Sequence, residues 1–148
     1  MPTSFCQIAV HIIFATKLHR PLLTDEIYSY INGIISNQKG VPIDANGTAD
    51  HIHILAFLPK DSSVSDFVRS IKANSSRWFK SKNPLMEWQT GYAAFSVSKT
   101  NIDAVRAYIQ NQKEHHHKMS FQEEMQKYLV EIGGQEVYKE WFGDQSPS

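Results

Sequence analysis

The stretch ADHIHILAFLP, residues 49–59, sets two histidines two apart in an otherwise apolar run. The run is short, bounded by Asp50 and Pro59, and reads as a buried strand. Side chains alternate faces along a strand, so His51 and His53 project to one side while Ile52 and Ile54 project to the other. What lies opposite each face decides whether the imidazoles are structural or chemical.

Working outward, FCQIAVHIIFA at 5–15 is a second apolar run rich in β-branched residues, and predicts the first strand. After Pro21, Thr24 is placed to cap a helix reaching Lys39, with Ile27, Ile31, Ile34 and Ile35 on one side and Gly40 ending it. VPIDANGTA leads into the histidine strand, with Asn46-Gly47 hinting at a turn within or between two strands. Ser63 followed by Asp66 is a helix-start signature, and Val64, Phe67, Val68, Ile71, Trp78 and Phe79 follow at helical spacing. GYAAFSVS at 91–98 predicts a fourth strand. Thr100 with Asp103 opens a helix expected over 101–117, and Ser120 with Glu123 opens a C-terminal helix to Val130, before Gly133-Gly134. The order βαββαβ predicts an α+β fold: a ferredoxin/RRM-like four-stranded antiparallel sheet with helices on one face, plus C-terminal helices. With Ile52 and Ile54 under the helices, His51 and His53 are expected on the open face.

At 148 residues the chain suits one domain, 1–148, with a core over about 5–117 and a helical tail over about 118–143. The 15 basic and 15 acidic residues cancel, so net charge names no partner. Their distribution is uneven: Arg69, Lys72, Arg77, Lys80 and Lys82 fall in a stretch without an acid. One cysteine, Cys6, excludes an intramolecular disulfide or a multi-cysteine metal site. The N-terminus MPTSFCQ has neither the basic start nor the apolar core of a signal peptide, and no apolar run is long enough to span a bilayer. The simplest expectation is a cytoplasmic protein without membrane attachment.

Several residues have both a chemical and an ordinary reading. His-x-His on a strand suits a metal or catalytic pair, and equally suits strand histidines satisfied by hydrogen bonds. Successive residues in His115-His116-His117 point about 100° apart on a helix, so a solvated helix end is expected there rather than one ion. Tyr108 and Gln112, four apart, share a helix face. A tyrosine on an amphipathic helix is by itself core or surface. The basic stretch is either a solvated helix face or a track for phosphates.

Asp50-His51-Ile52-His53, followed by a helix carrying YIQNQ (108–112), resembles the single-tyrosine HUH transposases of the insertion-sequence type, and is similar also to REP-associated tyrosine transposases. HIIFATKLHRPLL, DFVRSIKANSSRWF, WQTGYAAFSVS and NQKEHHHKMSFQEE fit the same pattern, so the match covers about residues 5–142; Ala93 stands where many relatives carry glycine. The resemblance implies His51, His53 and Gln112 as metal ligands, Tyr108 as nucleophile, and Mg²⁺ or Mn²⁺ as the ion. It implies a single-stranded DNA substrate bearing a hairpin, cut and rejoined through a 5′-phosphotyrosine, and a homodimer. A phenol titrating near 10 is a poor nucleophile at neutral pH, so metal and phosphate orientation must activate it. Arg69, Lys72, Arg77 and Lys80, with Lys17 and Arg20, are the expected phosphate contacts. Two other readings stand beside a transposase: a domesticated nuclease acting on chromosomal palindromic repeats, and a nucleic-acid-binding module without turnover.

Overall fold

In the computed structural model, which describes residues 4–116 and 119–143, the two apolar runs lie side by side at the centre of a sheet. Strand β1 (Ala9–Ala15) pairs antiparallel with a second strand (His51–Phe57), and Ile13 stands opposite His53. Between them in sequence come helix α1 (Glu26–Asn37) and strand β2 (Val41–Gly47), so the histidine strand is β3. Helix α2 (Val64–Lys80), strand β4 (Ala93–Val97) and helix α3 (Ile102–Gln110) follow. Strand order is β2-β3-β1-β4, every neighbouring pair antiparallel, which is the ferredoxin-like arrangement expected from βαββαβ.

Strand alternation sorts the sheet's two faces. Val10, Ile12 and Phe14 of β1 and Ile52, Ile54 and Ala56 of β3 pack with the isoleucines of α1 and with Phe67, Val68, Ile71 and Phe79 of α2. Burial of this cluster drives the fold, at roughly 25 cal/mol for each Å² of apolar surface removed from water. The start of α2 is as expected: Ser63 accepts from the Asp66 backbone N–H at 3.1 Å. Two other caps differ. Asp25, not Thr24, holds the N-cap of α1, and Asn101, after a 3-10 turn at Lys99–Asn101, holds that of α3, neither with a side-chain cap bond.

The second face is not open. Helix α3 lies against β2 and β3, and His11, Ile13, His51, His53 and Leu55 are all buried. The expectation of an exposed histidine pair failed because the apolar side of α3, with Ile109 at zero exposure, also needs a surface, and both helices of the other layer were already placed. The expected helix over 101–117 is broken at Asn111 (φ −93°, ψ 13°), and α4 (Gln112–His115) follows. The Asn46 side-chain amide donates to the carbonyls of Ile109 and Gln110 at 3.0 and 3.1 Å. Those carbonyls would otherwise accept from residues 113 and 114 in a continued helix. Asn46 and Gly47 thus close β2, and the hairpin turn is Thr48 to Asp50. A Cβ on Gly47 would run into the His51 carbonyl, which is why glycine stands there.

The chain divides between Gln112 and Lys113 into two compact units. In the second, helices α5 (Phe121–Leu129) and α6 (Gln135–Phe142) bury Phe121, Met125, Leu129 and Tyr138. Ser120 caps α5, accepting from the Glu123 N–H at 3.1 Å. Gly133, at φ 97°, supplies the left-handed residue between the helices. His115 and His116 are not a solvated end. Their Nε2 atoms lie 3.6 and 3.1 Å from the carboxylate of buried Glu124, a partner eight residues on that helical geometry alone does not reveal. His117 lies outside the described residues. Among those described, no helix is long and apolar enough to cross a membrane.

The basic stretch on α2 is not one uniform face. Lys72 Nζ donates to the carbonyls of Gln89 and Gly91 at 2.7 and 2.8 Å, strapping α2 to the segment that enters β4. Burial pushes its ammonium down to about 8. Lys72→Met keeps the stem and leaves two carbonyls without their donor, so urea unfolding should show a loss of about 2 kcal/mol. Exposed Arg77→Met should stay within about 0.5 kcal/mol of wild type.

Candidate metal and tyrosine site

Two residues at the entry to β3 set the orientation of the first histidine. His51 Nδ1 lies 2.8 Å from Asp50 Oδ1 and 2.9 Å from Thr48 Oγ1, and the Thr48 hydroxyl donates to Asp50 Oδ1 at 2.8 Å. Burial alone would raise the Asp50 carboxyl. The hydrogen bond from His51, the His51 charge, the Thr48 hydroxyl and the His19 charge together hold it below its ordinary value. An ionised Asp50 holds the Nδ1 proton, so in the neutral ring it is Nε2 that carries the lone pair, and this atom faces Gln112 Oε1 at 3.4 Å. Two lone-pair atoms turned toward each other are a donor set that a divalent cation fits, and a carboxylate behind the imidazole is the usual support of a ligating histidine.

His53 is oriented by another imidazole. Its Nδ1 lies 2.8 Å from His11 Nε2, and the two rings stack with centroids 5.1 Å apart. In the tautomer where His53 Nδ1–H donates to His11, the His53 Nε2 on the far side of its ring carries the lone pair. The His51 and His53 rings meet edge to face at 5.3 Å. Tyr108, half-buried on α3, brings its ring to 5.8 Å from His53 and 6.5 Å from His11. His51, His53, Gln112 and Tyr108 therefore come together, and the donor set of two imidazoles and one amide oxygen fits a divalent ion.

The position of Tyr108 depends on β2. Asp44 Oδ2 accepts from Gln110 Nε2 at 3.0 Å and pairs with Arg106 at 3.3 Å, while Asn46 caps the end of the helix. His11, Asp44 and Asn46 are the residues that sequence reasoning missed. Position 11 shares strand parity with Ile13, but which residue of β3 it meets is a matter of register. Asn46 was masked by the turn-like Asn-Gly pair.

The expected DNA contacts are spread out. Arg69 pairs with Asp66 at 2.8 Å, Lys72 is held by two carbonyls, and Arg77 and Lys80 are exposed on α2. That helix packs on the opposite face of the sheet from the histidines. Lys17 and Arg20 sit in the turn after β1, whose Thr16 N–H donates to the Asp50 carbonyl at 2.9 Å, so they lie at the histidine end of the sheet.

A ferredoxin-like sheet with a His-hydrophobic-His strand beneath a tyrosine helix defines the single-tyrosine HUH class. The family model described as "Transposase IS200 like" matches residues 4–112, and the chain belongs to that family. The transposases for insertion sequence element IS200 of Salmonella typhimurium and Salmonella typhi are each 33% identical over 117 residues, covering 70% of this chain and 76% of theirs. Among solved structures, a Deinococcus radiodurans R1 protein described as a transposase superposes with TM-score 0.60 at 22% identity, over 76% of this chain and 95% of its own. A REP-associated tyrosine transposase bound to a REP hairpin gives 0.53 at 14% identity, over 96% and 79%. At these identities the structural likenesses speak for the fold.

Two outcomes test the supporting residues. Because the folded-state value of Asp50 lies below its ordinary one, its contacts add stability above the ordinary carboxyl range and lose it as pH falls through the folded value. Wild-type stability should therefore fall more steeply below about pH 4 than that of Asp50→Asn, read by urea midpoints across pH. Asn46→Ala removes the donor of two carbonyls and should cost about 2 kcal/mol of stability by urea unfolding, while slowing any reaction that needs Tyr108 in place. An Asn46→Ala protein with undiminished reaction at Tyr108 would show that this cap does not position the tyrosine.

Proposed function

We propose that this transposase cuts and rejoins single-stranded DNA through Tyr108, with His51, His53 and Gln112 holding Mg²⁺ or Mn²⁺. The observation that carries the reading is the approach of Gln112 Oε1 to His51 Nε2, with the Tyr108 ring against neighbouring His53. When bound there, the ion supplies polarisation of the scissile phosphate and neutralises charge in the transition state. Mn²⁺ tolerates imidazole better than Mg²⁺ does.

Tyr108 Oη forms a bond to phosphorus as the bond to the 3′-oxygen breaks. The phenol proton passes to solvent and the departing oxygen takes one up, leaving a 5′-phosphotyrosine and a free 3′-hydroxyl. A 3′-hydroxyl attacking that linkage restores the phosphodiester and the phenol, so joining needs no ATP. His11 holds the His53 ring, and Asp50 with Thr48 holds that of His51. Asp44 and Asn46 keep α3 against the sheet, so that the nucleophile is delivered in line without a search.

A hairpin-bearing strand is the proposed substrate, supported by the REP hairpin in the structure of the REP-associated neighbour. Exposed Arg77 and Lys80, across the sheet, suit phosphates of a stem outside the reacting segment. We take the protein to act as a homodimer. A domesticated enzyme processing chromosomal palindromes is the second reading, prompted by the REP hairpin that the REP-associated neighbour binds. Flanking hairpins and copy number in the genome separate the two.

Incubation with labelled hairpin-bearing strands and Mg²⁺, followed by denaturing electrophoresis, should show a covalent protein–DNA band. Tyr108→Phe should abolish that band and leave DNA binding intact; an adduct in the Phe variant would move the nucleophile elsewhere, with Tyr92 next. Chelation, His51→Gln or His53→Gln should also abolish it. Because both histidines are buried, folding of each variant is checked by circular dichroism. Full activity of both in chelator would overturn the metal role.

A further inference from the structure

The turn that leaves β1 has an unusual backbone. Leu18 (φ 58°, ψ 21°) and His19 (φ 53°) both lie in the left-handed region, and neither is glycine or asparagine. Such strain persists only where the surroundings over-determine the conformation. Here they do. The Lys17 N–H donates to the Glu87 carbonyl at 2.8 Å, the His19 N–H to the Thr16 carbonyl at 3.0 Å, and the Thr16 hydroxyl to the Arg20 carbonyl at 2.6 Å. The same Thr16 is bonded through its N–H to the carbonyl of Asp50.

The strain does nothing for the core. It presents Leu18 to solvent at 74% exposure, between exposed Lys17 and Arg20, at the end of the sheet where the histidines enter β3. The Lys17 ammonium makes an exposed pair with Glu87 at 3.2 Å, a contact weak enough for a phosphate to displace. An apolar tip between two cations matches a nucleic-acid strand, in which bases alternate with charged phosphates.

We propose that the Lys17–Arg20 turn is a substrate-positioning element, which rests on the cleavage reading above. Leu18 wedges against a base of the single strand beside the scissile phosphate, and Lys17 and Arg20 take the phosphates on either side. The rigid, strained backbone fixes where that base sits and so where Tyr108 cuts.

Leu18→Gly and Leu18→Asn remove the wedge and relieve the left-handed strain, since these residues tolerate positive φ. Both should match or exceed the wild-type Tm, while KM for cleavage rises about tenfold and kcat changes less. A 2-aminopurine beside the cleavage point, in a strand left uncut because Mg²⁺ is withheld, should brighten on binding wild type as the base leaves its stack. It should not brighten with either variant, and Leu18→Met should restore both signals. Unchanged KM and fluorescence in the glycine and asparagine variants would overturn the proposal, as would a lowered Tm showing that Leu18 packs. Failure of wild type to form an adduct, with the brightening retained, would instead sink the cleavage reading and leave the contact standing.

Discussion

The register of β1 on β3 is the constraint from which the rest follows. With Ile13 opposite His53 and Phe14 opposite Ile52, one parity of both strands is committed to the apolar layer under α1 and α2. The other parity must then carry His11, His51 and His53 together on the second face. A slip of one residue would put imidazoles among isoleucines and isoleucines under Tyr108. The energetic penalty of that exchange makes the hydrophobic layer, far from any chemistry, the element that aims the histidines.

Aiming the rings is only half of the problem, because three imidazoles under a helix must each find partners. The structure meets this within a few residues. Asp50 and Thr48 take one nitrogen of His51, and His11 and His53 take one another. Each such contact also bears on the tautomer, so that satisfying one nitrogen of a buried ring leaves the other to carry the lone pair. Helix α3 is held by polar contacts at its rim, Asp44 and Asn46, and by Ile109 beneath it. A helix seated on histidines has little apolar area to bind it, and the β2 side chains make up for that.

The strand and helix content was legible from residues 5–15 and 51–57, whose period and branching leave no other reading, and from Ser63 and Ser120, whose caps form as their spacing implies. The pairing of His51 with His53 on one face was legible from alternation alone, and the resemblance supplied Tyr108 and Gln112. The covering of that face was not. It depends on where a third amphipathic helix docks, which two polar residues in β2 decide from more than sixty positions away. Thr24 and Thr100 misled because a capping residue competes with its neighbours, and Asp25 and Asn101 took the boundary instead. The charge on α2 was legible as composition, but the burial of Lys72 against Gln89 and Gly91 is a tertiary fact.

Several departures from local rules fall near one end of the sheet, left-handed Lys39 (φ 70°) after α1 being a separate one. Histidines stand in strand interiors, an Asn-Gly pair ends a strand without forming its turn, and two bulky residues adopt left-handed backbone. His51, the Asn46-Gly47 pair, Leu18 and His19 gather where β1 ends and β3 begins. Natural chains tolerate such departures where function needs a geometry that packing alone would not choose. The apolar layer on the other side supplies the stability that this end gives up. One parity of β1 and β3 and one side each of α1 and α2 supply its buried apolar residues. The sheet thus works as a divider: one side is optimised for folding, which leaves the other free to be arranged for DNA.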